Sequence, residues 1–301
     1  MHSIDFVVLF GTMLFIVLYG IWKTRKSHDL KGYLLGDNSM KWGTIGLSVM
    51  ATQASAITFL STPGQAYQDG MGFVQFYFGM PIAMIILSAV VVPLYFKLKV
   101  YTAYEFLEQR FDLKSRALAA FLFLVSRGLA AGITIYAPAI ILTTILNWDI
   151  NITILIIGVL VIIYTVSGGT KAVAETQKQQ MFVIMAGMFV AFVVLLAKLP
   201  DSIGFNESLV VAGKMGKMNV IDWKFDPANR YNIWSGLTAA LFLFLAYFGT
   251  DQSQVQRYLS GKSIKEIRLG LLFNGVFKIP MQFSILLVGV LVFIFYQFTM
   301  P

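Results

Sequence analysis

The residues best equipped for chemistry lie where an apolar chain has least use for them. Segment 50–64, MATQASAITFLSTPG, sets Thr52, Gln53, Ser55, Thr58, Ser61 and Thr62 in an otherwise apolar run and ends in Pro63-Gly64. Two readings stand. The hydroxyls bond to the preceding turn or join neighbouring helices. Alternatively the helix unwinds there, and its freed carbonyls face a water-filled cavity. Carbonyl and hydroxyl oxygens are hard ligands suited to sodium, and a monovalent ion needs no carboxylate. A second interruption follows the aromatic run Phe242 to Phe248, where GTDQSQVQR (249–257) brings Asp251 and Arg257 to the inner end of a span. Tyr247, with a flat apolar body and a polar tip, is placed to close a cavity beside that break.

Charges inside apolar runs come next, because an ionisable group at the bilayer centre costs roughly 2.5–3.5 kcal/mol on insertion scales. Lys278, in LLFNGVFKIPMQF, lies deep in the last apolar run, and Pro280 would free a carbonyl nearby. It either lines a cavity or snorkels. Arg127, in FLVSRGLAAG, is equally deep, beside Gly128 and Gly132. A structural ion pair and anion binding both fit it. Glu175, in GGTKAVAETQKQQ, reads as a solvated residue of an inner loop.

The elements that must position these groups are membrane helices. Hydrophobic residues make up 57% of the chain and charged residues 13%, against about 25% charge in a soluble domain. With no cysteine, disulfides and thiolate metal sites are excluded. The two histidines, His2 and His28, lie outside the apolar runs, which argues against a histidine metal site or a Ser-His hydrolase. No nucleophile–base pair stands at membrane depth, so an enzyme is not expected. The net charge of +8 sits between the spans, where topology explains it without nucleic acid.

Apolar runs at roughly 3–22, 41–61, 73–96, 116–146, 150–167, 180–199, 232–256 and 269–298 predict eight spans in a single transmembrane domain covering 1–301. The first is not a signal peptide, because its basic cluster, Lys23, Arg25 and Lys26, follows the apolar run. Basic residues recur in 23–41, 97–116, 168–180 and 257–268, while 62–72 and 147–151 have none. That alternation puts both termini outside. Segment 200–231 mixes both signs and reads as a folded outer cap; YTAYEFLEQRFD (101–112) reads as a short helix on the inner surface. Two interrupted spans with four ordinary ones between them are the pattern of an inverted-repeat carrier with its site near the midplane.

The stretches SAITFLSTPGQAYQDG (55–70), GITIYAPAIIL (132–142), YTVSGGTKAV (164–173) and GTDQSQVQRYLSGKS (249–263) resemble the sodium/solute symporters. The likeness covers essentially the whole chain and looks strongest to the iodide, monocarboxylate and multivitamin branch. It implies an all-α membrane protein with an extra N-terminal helix and a five-plus-five inverted-repeat bundle. The last three repeat helices would be missing after Pro301. It also implies that the backbone carbonyls of Ala51 and Ala54 hold sodium, and that Gln53, Ser55 and Thr58 face the substrate. Tyr247 matches a gate tyrosine, Lys278 a sugar-contacting lysine, and Tyr77 the place of a glutamate in the galactose carrier. Two-sodium members carry an aspartate where this chain has Glu175, Thr176 and Gln177, so one ion per solute is implied.

The function implied is sodium-coupled symport of a small polar or anionic solute by alternating access. The expected setting is a bacterial inner (plasma) membrane, with lipid and the small-molecule substrate as partners and a homo-oligomer left open. The rivals are a solute sensor that does not transport, or a fragment needing further helices. A channel is disfavoured because no filter sequence occurs.

Overall fold

The computed structural model describes residues 3–24, 32, 35–200 and 203–299. His2, His28, Arg25, Lys26, Lys31 and Pro301 lie outside them. The described chain is helical almost throughout, and a lone bridge between Met40 and Gly261 is its only strand-like pairing.

Helix α1 spans Ser3–Thr24. Helix α2 (Trp42–Gln53) is followed by two non-helical residues, Ala54 (φ −93°, ψ 74°) and the extended Ser55 (φ −83°, ψ 171°), and then by α3 (Ala56–Asp69). The two axes are bent by 60°. The helix is therefore interrupted within 50–64, at Ala54-Ser55. Pro63 rides inside α3, which ends at Gly70 (φ 81°). A side chain at Gly70 would strike the Lys217 backbone, 2.6 Å from where its Cβ would stand.

The next span, Met71–Leu98, begins as a tight 3₁₀ turn over Met71–Phe78 and continues as α4 (Gly79–Ile86). A π-turn at Leu87–Val91 leads into α5 (Val92–Leu98). The surface helix α6 (Ala103–Arg110) starts where Glu105 N donates to Thr102 Oγ1. Ser115 N donates to Asp112 Oδ1 at 2.7 Å and starts α7 (Leu113–Leu146). That bond holds the exposed Asp112 carboxyl below its usual range.

Helix α8 (Ile150–Lys198) is two helices joined at Gly169 (φ 57°). Segment 168–180 is therefore largely helix rather than loop, and Glu175 pairs with Lys178 at 2.9 Å inside it. The outer cap carries α9 (Phe205–Lys214) and the short α10 (Ile233–Leu237). Helix α11 (Ala239–Thr250) stops at Asp251, which is extended (φ −75°, ψ 116°), and α12 (Gln252–Leu259) restarts beyond it. Helix α13 (Ile264–Thr299) closes the described chain.

Among the described residues five helical stretches are long and apolar enough to cross a membrane, and the bent α2–α3 pair, counted as one broken span, gives a sixth. Two shorter apolar stretches, Phe6–Phe15 and Ile150–Ile163, stand where the first and fifth expected spans fall. Burial ranks them. Within its most apolar window α13 is 56% buried, whereas α7 and the second half of α8 are 6% buried. The central post is thus α13, and α7 and the second half of α8 leave their apolar faces open among the described residues. Ile45 and Leu271, then Met50, Ala54, Met281 and Ile285, pack α13 along α2 up to the first break.

Candidate functional site

Bonds within the chain satisfy part of the backbone freed at the first break. Ala54 N donates to the Ala51 carbonyl at 2.9 Å, Thr58 N to the Ser55 carbonyl at 3.0 Å, and Thr58 Oγ1 to the Gln53 carbonyl at 3.2 Å. The Ala54 carbonyl takes no part in these bonds, and the Ala51 carbonyl keeps a second lone pair. Hard oxygens without a nearby carboxylate suit a monovalent cation. Among the described residues no group of three or more His, Cys, Asp or Glu could hold a metal ion.

A cavity of about 280 Å³ lies between the two breaks, lined by Gln53, Phe76, Tyr77, Leu243, Phe244 and Tyr247. It gathers three of the expected site residues: Gln53, Tyr77 and Tyr247. The Gln53 side-chain oxygen is buried without a hydrogen-bond partner. Lys278 does not line this cavity. It stands behind it, 1% exposed, with its ammonium 5.8 Å from the Tyr77 ring centre. Ser55 and Thr58 belong to the break rather than to the cavity wall.

Two larger spaces flank this cavity, named outer and inner by the loop charges. The outer one, about 620 Å³, is lined by Gln65, Asp69, Gln75, Asp222 and Tyr231 among others. Aromatic rings separate it from the central cavity: Phe73 meets Tyr231 at 5.1 Å and Phe76 at 5.7 Å, and Phe76 meets Phe244 at 5.3 Å. Gln75, 1% exposed, fastens the cap to this layer. Its side chain donates to the Tyr231 carbonyl at 3.1 Å and accepts from Asp222 N at 2.8 Å. The inner space, about 610 Å³, is mostly apolar and shares Leu243 and Tyr247 with the central cavity. Tyr247 therefore stands on the boundary between the two.

Several polar groups here were missed or left open by sequence reasoning. Gln282, one turn beyond Lys278, is 0% exposed, and both its amide atoms lack partners. Asn274, one turn before Lys278, leaves its oxygen unpartnered, and its nitrogen rests 3.9 Å from the sulfurs of Met80 and Met84. The spacing of four residues from Lys278 in an apolar helix was the signal for both. Gln177 ties α8 to α2 just before the first break: its oxygen accepts from Ser48 Oγ at 2.7 Å and its nitrogen donates to Thr52 Oγ1 at 3.1 Å. Arg127 resolves to an ion pair, with Nη2 2.5 Å from Asp251 Oδ2.

Two broken spans flanking a largely aromatic cavity that Gln53 enters define a multi-span helical carrier fold. The description "Sodium:solute symporter family" matches residues 33–300, and the chain belongs to that family. It is 31% identical over 276 residues to sodium-coupled monocarboxylate transporter 2 of Mus musculus, covering 90% of this chain and 44% of that protein. The sodium/iodide cotransporter of Homo sapiens is 32% identical over 254 residues, 84% of this chain and 39% of its own length. The sodium-dependent multivitamin transporter of Oryctolagus cuniculus is 29% identical over 303 residues, 98% of this chain and 46% of its own length. Among solved structures, the substrate-bound outward-open state of a Na+-coupled sialic acid symporter superposes with a TM-score of 0.90 at 28% identity. That match covers 98% of this chain and 62% of the symporter. The chain thus spans less than half the length of these curated relatives.

Proposed function

We propose that the protein carrying these residues couples one sodium ion to the entry of a small polar or anionic solute across a plasma membrane. The observation that carries the proposal is the cavity between two unwound spans, with Gln53 on one side and Tyr247 on the other. Sodium is cargo in this reading. The Ala51 and Ala54 carbonyls at the first break would hold it. Gln53, Ser55, Thr58 and Tyr77 would meet the solute, and Lys278 behind Tyr77 would favour a negative charge. The aromatic layer of Phe73, Phe76 and Tyr231 would close the outer side and Tyr247 the inner. A sodium gradient would supply the driving force, and alternate exposure of the one cavity would carry both species. Family membership and the sodium-coupled relatives support the coupling.

The test is uptake into proteoliposomes by the natural protein that contains this chain. The panel is a labelled monocarboxylate, iodide, a vitamin carboxylate and sialic acid, each with sodium or choline outside. One solute is expected to accumulate only with sodium. Equal uptake in choline would end the coupling claim. Saturable binding without uptake would mark a solute sensor instead.

A further inference from the structure

Asp251 is the single residue between α11 and α12, and its two carboxylate oxygens do different work. Oδ1 accepts from Ser253 N at 2.9 Å and from Ser253 Oγ at 2.6 Å, which starts α12. Oδ2 faces Nη2 of Arg127, in mid-α7, at 2.5 Å. The same guanidinium lies 5.7 Å from the centre of the Tyr247 ring, and the Tyr247 hydroxyl accepts from Gln254 Nε2 at 2.7 Å. Tyr247 is one turn before the joint and Gln254 one turn after it. Arg127 therefore touches the joint and the residue at the boundary between the central cavity and the inner space.

The first break is held differently. Ser55 makes no side-chain cap, and the Thr58 bond that crosses the break stays within its own span. Its tie to a neighbouring span is neutral, from Gln177 of α8 to Ser48 and Thr52 of α2, whereas the second break is pinned by opposite charges. Arg127 is 36% and Asp251 11% exposed at the side chain, so the pair is only partly screened by solvent.

We propose that Arg127 is a positioning residue for solute passage: by holding Asp251 it fixes the α11–α12 joint to α7 and keeps Tyr247 across the way between the central cavity and the inner space. Opening that way requires the pair to part or to move with α7.

This chain holds no cysteine, and any in the rest of the natural protein are first replaced by Ser. Phe244, 4% exposed and lining the central cavity on the far side of Tyr247 from the inner space, is replaced by Cys in that purified protein in lipid nanodiscs, and maleimide labelling is timed. Arg127→Gln and Asp251→Asn should each raise the labelling rate roughly tenfold, in the range typical of coupling between sites. The double variant should rise no further, and Arg127→Lys should restore much of the slow rate. Asp251→Asn keeps a good capping residue, so it carries the test if Arg127→Gln fails to fold. Rates unchanged in the folded variants, or additive in the double variant, overturn the proposal. The transport arm rests on the symport reading. In proteoliposomes the maximal rate should change in Arg127→Gln while the solute half-saturation holds within about twofold, the sign of a positioning role rather than lost binding. A changed half-saturation at constant maximal rate would overturn it. Loss of sodium dependence in the parent protein would defeat the symport reading and leave the labelling comparison to judge the pair alone.

Discussion

Gly289 on α13 lies so close to Pro63 on α3 that a Cβ on it would stand 2.1 Å from the Pro63 carbonyl oxygen. The contact is backbone to backbone, so no side-chain rotation can relieve it.

Gly289→Ala should therefore force α3 and α13 apart. Overpacking of this kind costs roughly 1–3 kcal/mol, and the strain would fall within three turns of the first break. A lower melting temperature of the purified protein is expected, with a larger drop for Gly289→Val. Melting unchanged in both variants would show that the two helices already sit further apart in the membrane.

Lys278→Met tests whether the buried ammonium serves the solute. Lys278 is 1% exposed and faces the Tyr77 ring, with no ion pair among the described residues. Replacing a buried charge by an apolar side chain of similar length is often neutral or stabilising. The variant should fold at least as well as the parent, while solute half-saturation rises about tenfold, roughly 1.4 kcal/mol of attraction exerted from behind Tyr77. Normal uptake with raised stability would assign Lys278 a purely structural part.

The broken spans were legible because Thr, Ser and Gln cluster where lipid would exclude them, and because Asp251 follows an aromatic run. The position of the first break was less legible. Pro63-Gly64 is the stronger breaker on composition, yet α3 passes through it and packs its Pro63 backbone against Gly289, while Ala54 and Ser55 unwind. Segment 168–180 looked like a loop from its charges. It folds as helix because Glu175 and Lys178 pair within it and Gln177 turns toward Ser48 and Thr52. Arg127 could not be assigned from sequence, since its partner lies 124 positions away and only the folded bundle brings Asp251 to it. Gln282 was passed over because a neutral amide barely marks a long apolar run.

Gln282→Leu separates folding from function at that residue. A buried amide with neither atom bonded costs about 1–3 kcal/mol, and leucine removes the cost with a similar volume. The solute-free protein should melt higher. If solute or an ordered water occupies the amide during transport, half-saturation should worsen in the same variant. A lower melting temperature would show that Gln282 has a bonded partner in the membrane.

The last prediction concerns ion count. The position that the two-sodium members give to an aspartate falls at Glu175, Thr176 and Gln177 here. Glu175 is engaged with Lys178, the Thr176 hydroxyl donates to the Val173 carbonyl at 3.0 Å, and Gln177 is bound on both amide atoms to α2 hydroxyls. The one carboxylate there, Glu175, is already paired with Lys178, and Gln177 is a neutral amide already bonded to α2, so the position offers a second cation no uncommitted carboxylate matching the aspartate. Uptake should therefore rise hyperbolically with sodium, with a Hill coefficient near one. Gln177→Leu should lower stability by about 1–3 kcal/mol through its two lost partners and leave that coefficient unchanged. A sigmoidal sodium dependence in the parent protein would place a second ion at a site that the α8–α2 contact does not provide.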